Sequence, residues 1–188
     1  MSRKRKFFIY FNAPITLAFV AICCLALALS YITHDMSTVM VFSTYHSSWL
    51  HPMTYVRLIC HVFGHHSVNH LVSNMLYILL LGPMLEEKYH EKLITVILTT
   101  AIVTGVVHNI LQPNVMLLGA SGVVFAFILL ASITGKENGI PITLILVAVL
   151  YLGQEIYDGF VASDNISQLT HIIGGLSGTV LGLIYKKK

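Results

Sequence analysis

Three polar sites interrupt the apolar stretches of this chain. Ser121 sits among small residues in LLGASGVVFAF (117–127), His171 sits in THIIGGLSG, and HVFGHHSVNHLVSN carries His61, His65, His66, His70 and Asn74. A serine hydroxyl is a poor nucleophile until a base takes its proton, and neutral imidazole suits that task near neutral pH. Ser121 and His171 are therefore a candidate nucleophile and general base. Attack on a carbonyl develops negative charge on oxygen, which donors fixed beforehand must meet. The Asn74 amide, a His70 N–H and backbone N–H groups at a helix start would serve. Gly119 and Gly122 remove Cβ atoms from around Ser121, permitting a tight turn and close approach of a substrate backbone.

Each feature also has a plainer reading. A serine in a membrane helix commonly bonds back to a carbonyl, and small-xxx-small patterns are packing seams. Gly174 and Gly178 read most simply as a close helix crossing, one that would also draw His171 toward Ser121. Histidines at i, i+4 would stack on helical faces and are good metal ligands. The cluster His61, His65, His66 and His70 thus supports a competing function, a metal- or haem-binding polytopic membrane protein; a transporter or a chaperone of membrane helices is a third. HEKLI at His90 lacks the second histidine of HExxH. His34, His46, His51, His90 and His108 read as loop or interface residues.

The elements that must position these groups follow from composition. Of 188 residues, 56% are hydrophobic and 10% charged, and the mean hydropathy is +0.79. That balance excludes an ordinary soluble domain and implies an integral membrane protein. A crossing needs roughly 20 helical residues, so the chain holds about six or seven spans. Uncharged runs place six, near 13–33, 68–85, 93–111, 118–135, 139–156 and 168–185. The fold expected is all-α, a polytopic six-helix bundle forming a single domain over 1–188.

With six spans the termini share a side. Arg3, Lys4, Arg5, Lys6, Lys88, Lys92, Lys136 and Lys186 to Lys188 fall there, leaving Arg57 opposite. The positive-inside rule makes both termini cytoplasmic. The net charge of +3 is thereby a matter of topology, and no nucleic-acid partner is expected. The 20 uncharged residues from Ala13 to Ile32 exceed a signal-peptide core and read as a retained span. Cys23, Cys24 and Cys60 form no CxxC pair. Without a transit peptide, the chain fits a bacterial plasma membrane.

The second, fourth and sixth spans all run inward, so His70, Asn74, Ser121 and His171 should lie within about 10 Å of the outer surface. His65, His66, Ser67, Asn69 and Ser73 would hydrate a cavity there. The apolar loop from His34 to Gly64, with the sole tryptophan Trp49, should lie partly in the interface. DGFVASDN, with Gly159 and Ser163 as flexible points, would cap the cavity.

Taken together, these residues resemble the rhomboid family of intramembrane serine proteases, over Arg57 to Gly178. The resemblance rests on Gly119-Ala120-Ser121-Gly122 as G-x-S-G, on the H-x3-H-x4-H-x3-N series of His61, His65, His70 and Asn74, and on His171, Gly174 and Gly178 as H-x2-G-x3-G. It implies a Ser121–His171 dyad that cuts single-span proteins of the lipid bilayer near the outer edge of their helices. His70, Asn74 and the Ser121 N–H would form the oxyanion hole, and no cofactor or metal is expected. It further implies the minimal six-helix core, without a seventh span or cytosolic domain. Arg57 matches a loop arginine, with Val56 in place of its tryptophan partner, and Glu86 matches a structural glutamate. Phe125 stands where the family often has tyrosine and is expected to pack on His171, and Thr170 replaces a small alanine.

Overall fold

The computed structural model describes residues 10–133, 139–161 and 166–186, with the side chains of 152, 154–161, 166 and 167 outside the description. The regular structure among the described residues is helical apart from one isolated β-bridge. In chain order they form α1 (Pro14–Ile32), α2 (Met36–Met40), α3 (Pro52–Cys60), a 3-10 turn (His61–Phe63), α4 (Val68–Tyr89), α5 (Lys92–Leu111), α6 (Ser121–Ser132), α7 (Ile142–Val161) and α8 (Ile166–Lys186). Of these, α1, α4 and α5 are long and apolar enough to cross a membrane. Large apolar side chains such as Leu80, Ile102, Leu150 and Val180 are exposed on the bundle, as lipid-facing positions require.

The helix that carries Ser121 is the most enclosed. Val123, Val124, Phe125, Ala126, Phe127, Leu129 and Leu130 are all buried, so α6 is apolar on every side. It spans only 12 residues, about 18 Å at 1.5 Å per residue, against the longer run expected from 118 to 135. The later start has a cause: Leu117 and Gly119 are tied elsewhere by backbone hydrogen bonds before the helix begins, while residues 134 and 135 lie outside the described residues.

α6 packs most extensively on α8. A Cβ on Gly174 would strike the backbone of Gly122, and one on Gly178 would strike the backbone of Ala126. The two main chains therefore touch at two successive turns, which is the small-xxx-small geometry. Because both pairs advance together, α6 and α8 run in the same direction from the end that holds Ser121 and His171. Lys88 closes the far end of α6, its Nζ donating to the Ile133 carbonyl at 2.6 Å.

α1 lies antiparallel to α4. Glu86 accepts from the N–H groups of Ile15 and Thr16 at 2.8 and 2.9 Å, and from Thr16 Oγ1 at 2.8 Å. Ala13, the N-cap of α1, supplies no side-chain cap, so this carboxylate satisfies two orphan donors and sits at the positive end of the helix dipole. Gly82, one turn earlier, leaves room for the Thr16 side chain.

The segment between α1 and α4 is a built element rather than an open loop. Arg57 is buried, donates to Ser47 Oγ at 2.7 Å and stands 4.4 Å from the centre of the Tyr45 ring. Tyr45 thus provides an aromatic face for the arginine where Val56 cannot. Gly159 lies within the helical backbone of α7, not in the expected capping loop, and Ser163 lies outside the described residues.

Two expectations follow. Gly174→Ala should destabilise the protein by about 1–3 kcal/mol, the usual cost of overpacking. Gly182→Ala should cost less, since there a Cβ meets only the flexible ends of Ile133 and Leu130; thermal unfolding in detergent compares the two. Glu86→Ala should lower stability by about 2 kcal/mol, the scale of a lost hydrogen bond to a charged group, and Glu86→Gln by less, read by the same melts.

Candidate active site

The loop before Ser121 is clamped at three points. Leu117 exchanges both backbone hydrogen bonds with Thr44, each 2.8 Å, and the Gly119 N–H donates to the His61 carbonyl at 2.9 Å. His108 Nε2–H donates to the Val115 carbonyl at 2.9 Å. Thr44 is itself held by Asn109, whose Nδ2 donates to Thr44 Oγ1 at 2.9 Å, and His46 Nδ1–H donates to the Asn109 carbonyl at 3.2 Å. His46 and His108 are therefore not idle loop or interface residues. They hold the backbone that presents Ser121, and a buried histidine inside a span was the signal that could have found His108.

Gly119 is required on two counts. Its φ of +128° lies in the region that favours glycine, and a Cβ there would sit 2.9 Å from His70 Cε1 and 3.0 Å from Nε2. The turn delivers Ser121 as the first residue of α6 after an N-cap, Ala120, that has no side-chain cap. Ser132, Ser177, Thr104 and Thr179 bond back to carbonyls of their own helices. Ser121 has no preceding helical turn and, among the described residues, makes no such bond, so its hydroxyl is not tied to its own helix.

A cavity of about 490 Å³ gathers Ser121, His171, His70, Asn74, His66 and Ser73, with Thr170 and residues 115–118 completing its wall. The sequence-selected residues thus meet at one end of the bundle, at the starts of α4, α6 and α8. Phe125, one turn below Ser121, stacks on the His171 ring with centroids 4.4 Å apart and planes 11° from parallel, and makes a T-shaped contact with Tyr151 of α7 at 5.9 Å. Thr170 is buried, its methyl in van der Waals range of the Gly122 position. Asn74 donates Nδ2–H to the His70 carbonyl at 2.9 Å, which leaves its second amide hydrogen for another acceptor.

The histidine series divides. α4 begins only at Val68, after the Ser67 N-cap, so His61 and His65 do not stack on its faces as their spacing suggested. His61 Nε2–H donates to the Ala101 carbonyl at 3.0 Å and packs against Gly105. His65 Nδ1–H donates to the Phe63 carbonyl at 3.1 Å, and burial pushes its imidazole down to about 4, keeping it neutral. Both are buried and support the wall, while His66 and His70 line the cavity. Among the described residues, no three histidine, cysteine, aspartate or glutamate side chains group to hold a metal ion.

Residues 52–188 match the Rhomboid domain. Rhomboid-related protein 1 of Caenorhabditis elegans is 30% identical over 139 residues, which cover 68% of this chain and 39% of that relative's length. The family match takes in every residue that lines the cavity, and with it the chain belongs to the rhomboid family of membrane proteins.

Proposed function

We propose that this protein is a serine-type endopeptidase that hydrolyses peptide bonds in or near the membrane-spanning segments of single-span proteins. Supporting the reading above all is the single cavity in which an uncapped helix start presents Ser121 beside His171, His70 and Asn74. In this reading α1, α4, α5, α6, α7 and α8 cross the membrane as one domain, with both termini cytoplasmic and the cavity near the outer surface. A bacterial plasma membrane is the setting that fits the sequence.

The chemistry is that of a dyad. His171 takes the proton as Ser121 Oγ attacks the substrate carbonyl, and the resulting oxyanion meets the Ser121 N–H, the second Asn74 amide hydrogen and His70 Nε2–H. His171 then passes the proton to the leaving amine. Water, activated by His171 in turn, releases the acyl group and restores the serine. Phe125 holds the His171 ring plane through the stack and itself makes a T-shaped contact with Tyr151. Exposed His66 and Ser73 on the cavity wall provide polar surface for the water that hydrolysis needs.

Ser121→Ala and His171→Ala should each abolish cleavage of a model single-span substrate in liposomes while the protein stays folded, as thermal unfolding checks. Asn74→Ala should lower kcat by about 10²–10³, the scale of one lost oxyanion donor. Robust cleavage by Ser121→Ala would sink the reading, and mass spectrometry of the product ends locates the cut.

A further inference from the structure

His66 lies outside the H-x3-H-x4-H-x3-N series, yet its side chain makes a direct contact with that of His70 at the cavity. Its Nδ1 stands 2.9 Å from His70 Nδ1, with ring centroids 4.4 Å apart and planes at 41°. Two imidazole nitrogens approach so closely only with a proton between them, one ring donating and the other accepting. The tautomers of the two rings are therefore coupled.

The consequence for His70 depends on the direction. If His70 accepts at Nδ1, its neutral ring must carry the proton on Nε2. That edge lies against Gly119, two residues before Ser121. If His70 donates instead, Nε2 presents a lone pair to the cavity, where it would repel an oxygen gaining negative charge. His66 is free to take either role. It is exposed, and its Nε2 has no protein partner among the described residues, so water satisfies that nitrogen as donor or acceptor. The geometry is also fixed locally: Ser67 Oγ accepts the His70 backbone N–H at 3.1 Å, which sets His66 immediately before the helix cap and His70 on the first turn above it.

We infer that His66 is a positioning residue that donates to His70 Nδ1 and thereby holds His70 as the Nε2–H tautomer, aimed at the oxyanion. The direction of donation rests on the protease reading; the contact between the two rings does not. His66→Phe keeps a ring against His70 and removes the donor. His66→Asn places an amide N–H near the position of Nδ1.

In the full chain in liposomes, His66→Phe should lower kcat about five- to tenfold, the scale of one net hydrogen bond, with KM and the unfolding temperature unchanged. His66→Asn should restore kcat to within about twofold of the parent. An unchanged kcat in His66→Phe, or a loss that His66→Asn does not repair, overturns the proposal. ¹⁵N spectra of histidine-labelled protein, with His70 assigned by its loss in His70→Gln, test it without any turnover. The parent should show His70 protonated at Nε2, and His66→Phe should shift protonation toward Nδ1. Parent His70 protonated at Nδ1 contradicts the proposal, whereas an inert parent with Nε2–H counts against the protease reading alone.

Discussion

Everything at the cavity depends on the backbone contact between α6 and α8. Gly122 and Ala126 on one helix and Gly174 and Gly178 on the other let the main chains touch. Membrane helices gain little from hydrophobic exclusion against lipid, so such close approach is where their association energy arises. The contact begins one residue after Ser121 and three after His171. A side chain on Gly174 would separate the two helices beside Ser121.

A second constraint acts on the other side of Ser121. The α5–α6 loop is held by Thr44, His61 and His108, so its backbone conformation is set before α6 starts. Gly119 then turns the chain with a positive φ while His70 packs against it. Ser121 is thus framed by a helix crossing below and a clamped turn above. Such pre-organisation is what electrostatic stabilisation of a developing charge requires, since donors already in place need no rearrangement during the reaction. It also explains the many buried polar groups in this apolar chain: Arg57, His61, His108 and Asn109 are structural groups that position the loop.

Much of this was legible in the sequence, for identifiable reasons. Apolar runs longer than a bilayer is thick locate α1, α4 and α5 well, because lipid forces unbroken hydrogen-bonded backbone. Small residues at i, i+4 in α8 marked the crossing, since nothing but close packing explains them. The i, i+4 spacing of His61 and His65 misled, because periodicity assumes a continuous helix and Gly64 and Ser67 break it. The roles of Thr44, Tyr45, His46 and Asn109 were invisible, as they arise from contacts between residues far apart in the chain. Gly159 misled in another way: a glycine among polar residues reads as a loop, but α7 carries it in its helical backbone.

The central claim is that Ser121 is a nucleophile activated by His171, and covalent labelling tests it without knowledge of any substrate. Folded protein in liposomes is treated with a fluorophosphonate, digested and read by mass spectrometry, alongside His171→Ala. The account predicts a single phosphonylated residue, Ser121, with labelling lost in His171→Ala. An unmodified Ser121 in folded protein, or labelling that His171→Ala leaves intact, would contradict it.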